Sequence, residues 1–187
     1  MTRIVAGKAG GRRLRVPPGR HTRPTADRTR EALFSSLDSL VDLESARVLD
    51  LYAGSGAIGL EAASRGAPEV TLVESARPAL AILRANISEL GLTGIAVEAL
   101  AVERLAATPA PHAYDCVFAD PPYALPADDL GKVITDLHDN GWLAPAAVVV
   151  VERSSRDPEW VWPEPLGAIR RRTYGECALW YGQAVPA

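Results

Sequence analysis

Two cysteines and three histidines are all the soft metal ligands this sequence offers. Cys116 and Cys177 lie in apolar, strand-like runs, spaced neither as a metal site nor as a disulfide framework, and read as buried thiols. His21, His112 and His138 show no metal-ligand spacing, so no metal is expected. No run approaches the ~20 apolar residues of a membrane span. The opening "MTRIVAGKAGGRRLRVPPGR" carries charge without the apolar centre of a secretory signal. A cytoplasmic protein with no membrane partner is the expectation. Coiled-coil heptads, internal repeats and low-complexity linkers are also missing, which favours a monomer. The 187 residues suffice for one core with at most a small appendage.

The first thirty residues lack acid. Arg3, Lys8, Arg12, Arg13, Arg15, Arg20, Arg23, Arg28 and Arg30 stand against Asp27 alone, a balance of +8 beside −11 for the remainder. Such a split predicts a basic arm for a polyanion, attached to an acidic body that would otherwise repel it. "RIVAG" and "RRLRVP" flank "KAGG" in a β-hairpin pattern. "TRPTADRTREALFSSLDSLV" then reads as a helix entered after Pro24. Thr25 is its candidate N-cap, Asp27 suits its first turn, and Leu33, Phe34, Leu37, Leu40 and Val41 form its apolar stripe. Residues 1–42 are expected to form this basic extension and residues 43–187 the main domain.

From residue 47 strand and helix patterns alternate: "RVLDLYA", "AIGLEAASRG", "EVTLVE", "RPALAILRANISELG", "GIAVEA", "AYDCVFAD", "PADDLGKVITDLHDN", "AAVVVVERS". The strands are continuously apolar, which predicts an α/β fold with a mostly parallel sheet covered by helices on both faces. "AIRRRTYGECALWYG" adds a closing antiparallel hairpin at or near an edge. In such a sheet, ligands bind outside the carboxyl ends of the strands where the strand order reverses.

Two motifs fall at those ends. "VLDLYAGSGAIGLEAA" carries Gly54, Gly56 and Gly59 in G-x-G-x-x-G spacing between a strand and a helix. Glu74, 20 positions beyond Gly54, ends the next strand where a carboxylate can accept ribose hydroxyls. Asp50 distinguishes between cofactors. A carboxylate there repels a dinucleotide pyrophosphate and attracts an amino group and a sulfonium, favouring S-adenosylmethionine over NAD. The second motif is "FADPPYALP". A nucleobase amine is planar and a poor nucleophile until the site helps it pyramidalise. Asp120 can accept one N–H and the Pro121 carbonyl the other, Pro121 and Pro122 stiffen the turn, and Tyr123 offers a stacking face. Attack at a pyrimidine carbon would need a cysteine nucleophile in an exposed strand-end loop, and neither cysteine reads as one.

"DLYAGSGAIGLEAASRGA", "VTLVE", "FADPPY", the opening through "RPTADRTREALFSSL" and the ending "TYGECALWY" together resemble the bacterial small-subunit (16S) ribosomal RNA guanine-N2 methyltransferase family over nearly the whole chain. The resemblance implies a Rossmann-like class I methyltransferase fold with a seven-stranded sheet, S-adenosylmethionine as donor and a guanine amine as acceptor. It places Asp50, Tyr52, Gly54, Gly56, Glu74 and Asp120 about the cofactor, and Asp120, Pro121, Pro122 and Tyr123 at the acceptor. The third strand's end, "VEALAVERL", lacks the polar residue often found beside the adenine, leaving backbone at Leu100 and Ala101 for that contact. Arg12, Arg13, Arg23, Arg28 and Arg30 become candidate contacts to 16S rRNA in the small subunit.

A DNA adenine-N6 methyltransferase shares the tetrad but ordinarily needs a region to read base edges, and only about 64 residues follow Tyr123. A non-catalytic RNA-binding assembly factor would not need Asp120, and amide nitrogens of proteins are a further acceptor class. "RRR" at 170–172 reads equally as basic surface and as solvated edge strand.

Overall fold

The run Val148–Val151 shows how the sheet is built. Val148 and Val150 sit in one buried cluster and Val149 and Val151 in another, so successive side chains enter separate cores on opposite faces. The computed structural model describes residues 2–17 and 24–185, with residues 24–26 described by their backbone alone. The helices are α1 (Pro24–Leu37), α2 (Ala57–Ser64), α3 (Arg77–Leu90), α4 (Val102–Ala106) and α5 (Ala127–Asp139). The strands are β1 (Arg47–Leu51), β2 (Glu69–Val73), β3 (Ile95–Glu98), β4 (Tyr114–Ala119), β5 (Leu143–Ser154), β6 (Leu166–Tyr174) and β7 (Cys177–Ala184). Among the described residues these strands form one seven-stranded sheet in the order β3-β2-β1-β4-β5-β7-β6. It is a Rossmann-like α/β fold, with β1–β5 parallel and β7 antiparallel to both β5 and β6. α1, α2 and α3 pack on one face, α4 and α5 on the other. The order reverses between β1 and β4, which opens a crevice at their carboxyl ends.

Three local expectations are adjusted. The short α4 follows β3 where no helix was expected, its Val102, Leu105 and Ala106 turned into the core. β5 begins at Leu143 through an irregular start: Ala146 has φ 62, and the register with β4 shifts between Tyr114 and Cys116. α1 ends at Leu37, so Leu40 and Val41 pack from the following turn. α1 also begins at Pro24, so Thr25 stands inside its first turn and not at its N-cap.

The N-terminal hairpin is present in its backbone bonds. Ile4 N–H donates to Arg12 O, Gly11 N–H to Ile4 O and Leu14 N–H to Thr2 O, with a single bridge between Arg3 and Arg13. Its Ile4, Ala9 and Leu14 share a buried cluster with Phe34, Val48 and Leu60, so the arm is built onto the sheet's own core. Gly7 touches the end of α2. A Cβ there would stand 1.9 Å from Ser64 O, and the residue has φ 79, so only glycine fits.

Glu61 of α2, 0% exposed, holds the arm in place. Its carboxylate accepts the Val5 N–H at 2.6 Å and the Ala6 N–H at 3.0 Å, and pairs with Arg65 at 2.8 Å and Arg30 at 3.6 Å. Removing one member of a buried ionic group leaves the others without partners, a loss of about 3–5 kcal/mol. Glu61→Ala should therefore lower unfolding stability by about that amount in urea titrations, and the Val5 and Ala6 amides should lose hydrogen-exchange protection first.

Candidate active site

A cleft of about 480 Å³ opens at the carboxyl ends of β1, β2, β3 and β4. Tyr52, Gly54, Glu74, Leu100, Ala101, Asp120 and Pro122 line it, bringing together residues from four separate strand ends. Pro17, at the end of the described arm, forms part of its wall.

Glu74 organises the cofactor loop. Its Oε2 accepts the Gly54 N–H at 2.9 Å, and its Oε1 the N–H groups of Ser75 at 2.8 Å and Ala76 at 2.7 Å. A carboxylate that accepts three backbone donors is fixed in direction. Gly54 takes φ 57 to make the turn. Tyr52, a non-glycine residue at φ 58, holds a conformation that side chains rarely adopt. Its hydroxyl donates to Glu103 at 3.1 Å, and burial together with the Glu103 charge pushes the phenol up.

Two expected cofactor contacts stand elsewhere. Asp50 is 2% exposed behind the loop and does not line the cleft; its Oδ2 accepts the Gly59 N–H at 2.8 Å, tying β1 to the first turn of α2. Burial raises its carboxyl to about 7 against the opposing Gly59 hydrogen bond, and the Glu74 charge raises it further. Gly56, at φ 82, makes room for packing: a Cβ would lie 2.5 Å from Leu83 and 3.0 Å from Leu60.

Sequence reasoning missed Glu103 and Asn86. The turn into α4 brings Glu103 into the cleft beside Leu100 and Ala101, so an acid does stand near the third strand's end, two positions later than the gap noted there. Asn86 is 1% exposed in the apolar face of α3. Its amide donates to Ser55 O at 2.9 Å and Arg15 O at 3.0 Å, while its oxygen accepts the Arg15 N–H at 2.8 Å. A lone amide inside an apolar stripe was its only signal.

At the acceptor side Asp120 is exposed at the end of β4, Pro121 is buried, and Tyr123 is 78% exposed at the lip. Arg153 pins the following turn, donating to Leu125 O at 2.9 Å and pairing with Asp157 at 3.2 Å. Cys116 is a buried thiol as expected, whereas Cys177 opens β7 half-buried at the same end of the sheet.

The arginines divide. Arg30 is corrected from surface contact to internal cation: at 5% exposed it bonds Arg3 O and pairs with Asp27 and Glu61, out of reach of a polyanion. Arg12 is exposed but donates to the Leu90 and Glu89 carbonyls at the end of α3. Arg13 and Arg28 are exposed, and Arg23 lies outside the described residues.

Among the described residues three that line the cleft are acids, Glu74, Glu103 and Asp120, and none is Lys or Arg. That field disfavours a pyrophosphate and suits a cationic ligand. The residues therefore fit S-adenosylmethionine. Among the described residues no group of three His, Cys, Asp or Glu could hold a metal ion, and no helix is long and apolar enough to cross a membrane.

The family model described as conserved hypothetical protein 95 matches residues 2–183. The chain belongs to this family. Its similarity extends to ribosomal RNA small subunit methyltransferase D of Escherichia coli K12, 42% identical over 177 residues that cover 94% of this chain and 86% of the relative. The protein of that name from Haemophilus influenzae is 33% identical over 176 residues, covering 92% and 89%. A solved Escherichia coli structure, provisionally assigned as a methyltransferase, superposes with a TM-score of 0.85 at 34% identity, over 99% of this chain and 98% of its own. The family fold thus holds the cleft, the glycine loop and Asp120 in one frame.

Asp50 gives the site a pH signature. Its folded pKa of about 7 lies above the 3.8 of an ordinary carboxyl, so the folded state holds the proton more tightly. The resulting cost is absent below about pH 4 and grows to roughly 4 kcal/mol as pH rises through 7. Asp50→Asn, which keeps an oxygen for the Gly59 N–H, should gain stability relative to the parent as pH is raised through that window, read by urea unfolding at each pH.

Proposed function

We propose that this protein is an S-adenosylmethionine-dependent ribosomal RNA methyltransferase that modifies the exocyclic N2 amine of a guanine in 16S rRNA, acting as a cytoplasmic monomer on the small subunit. The observation that carries this reading is the acid-lined cleft that brings together Glu74, at the end of β2, and Asp120, at the end of β4, across the end of β1. The relatives named as small-subunit ribosomal RNA methyltransferases support the substrate class.

The cofactor supplies an electrophilic methyl group on a sulfonium. Asp120 accepts one N–H of the amine and the Pro121 carbonyl the other, which turns the nitrogen lone pair toward that methyl. As the N–C bond forms and the C–S bond breaks, the amine's surplus proton passes to Asp120 or to water. Tyr123 stacks on the base at the lip. Arg12, Arg13, Arg23 and Arg28 hold phosphates on the arm side, positioning the RNA without reading sequence. The described chain after Tyr123 is spent on α5, β5, β6 and β7, which leaves no separate module for reading a DNA duplex.

Purified protein with labelled S-adenosylmethionine should put label into N2-methylguanosine of undermodified small subunits or naked ribosomal RNA, and not into duplex DNA. Label in methyladenine from DNA would replace the reading. Asp120→Ala should lower turnover by about 10²–10³-fold while cofactor affinity changes little, measured by single-turnover transfer and equilibrium binding. Neutralising Arg13 and Arg28 to Gln should weaken RNA binding across sequences and flatten log K against log salt by about 1–2.

A further inference from the structure

Beside Asp120, the carboxyl end of β5 and the start of β7 hold two side chains, Glu152 and Cys177, that the transfer step leaves unused. The last registered pair of β4 and β5 is Ala119 with Val151, and one position further stand Asp120 and Glu152. Phe118 and Val150, two residues earlier, enter the same buried cluster. Side chains two apart share a face, which puts Asp120 and Glu152 on one face at the ends of two adjacent strands. β7 completes the group. Glu152 pairs with Leu179 and Ser154 with Cys177, which sets Cys177 diagonally across from Glu152 on the same face. The Cys177 thiol hydrogen-bonds Glu152 and also feels the Asp120 charge, so it stands near both carboxylates. A thiol is a weak donor and leaves most of a carboxylate's accepting capacity unused.

We infer that Glu152 is the residue that reads the acceptor base, its carboxylate accepting the N1–H of the guanine whose N2 amine Asp120 holds. This rests on the guanine-N2 reading given above. Guanine presents N1–H and the N2 amine as adjacent donors on one edge, and two carboxylates on adjacent strands match two adjacent donors. A purine whose N1 carries a lone pair meets Glu152 as acceptor against acceptor. A site built to bond a donor rejects the analogue without it, because the buried partner is left unpaired. Burial pushes the Glu152 carboxyl up; an N–H donor brought to it favours the ionised form and opposes that rise. The aspartate-proline turn thus selects an amine, and Glu152 selects the ring that bears it.

The test uses small subunits reconstituted with RNA carrying either guanine or 2-aminopurine at the position that the parent enzyme methylates. 2-Aminopurine keeps the N2 amine and replaces N1–H by a lone pair. The variant is Glu152→Gln, which keeps the side chain's size and an oxygen for Cys177, and whose amide N–H can donate to N1 of 2-aminopurine. The parent should prefer guanine by at least about tenfold in kcat/KM. In Glu152→Gln the guanine rate should fall by about tenfold or more while the 2-aminopurine rate holds or rises, with cofactor affinity unchanged. Equal loss on both bases, or a preference as high as the parent's, including no detectable 2-aminopurine product from either enzyme, overturns the inference. Absence of N2-methylguanosine from the parent would instead overturn the guanine reading itself, so the two failures are separable.

Discussion

The fully buried carboxylate of Glu61 is the interaction on which the rest of the arrangement leans. It collects two backbone N–H groups from the arm and the guanidinium groups of Arg30 and Arg65, so three segments distant in sequence meet at one charge. Such a charge is tolerated inside a protein only when donors surround it, and each donor is fixed by the need to serve it. α2 also carries the Gly59 N–H bound by Asp50 and begins where the cofactor loop ends. One short helix therefore sets the position of the basic surface and of the cofactor loop together. Asn86 repeats the link from α3, bonding Arg15 on one side and Ser55 on the other.

The cleft works by sign. Its acids are held by local donors, Glu74 by three backbone N–H groups and Glu103 by the Tyr52 hydroxyl, so their directions are set before a ligand arrives. Among the described residues no Lys or Arg lines the cleft. A protein of net charge −3 thereby keeps an acidic cleft apart from a basic arm, with little cross-attraction between the two.

Much of this was legible in the sequence, because continuous apolar strands and glycine spacing are local signals. The alternation of strand and helix, the ends carrying Gly54, Glu74 and Asp120, and the helix stop at Gly91 all follow from patterns within a few residues. What stayed hidden depends on partners far away in the chain. Arg30 looks like any arm arginine until Glu61 is placed beneath it. Asp50 reads as a ligand-facing acid, yet its short side chain finds the Gly59 N–H first. Glu103 needs the turn of α4 to enter the cleft, and Glu152 sits inside a strand marked by its valines, where no local signal sets it apart.

The sheet order also fixes when each side of the site can be finished. Among the described strands β6 joins only through β7, and β7 is the last of them, so the edge of β5 with its four valines stays unpaired until residues 177–184 are synthesised. The cofactor half, β1 to β3 with α2 and α3, is complete in sequence some eighty residues earlier. The strand that covers this edge also brings Cys177 to Glu152. During that interval the nascent chain exposes a flat apolar edge, which makes the closing of β7 the step most sensitive to aggregation.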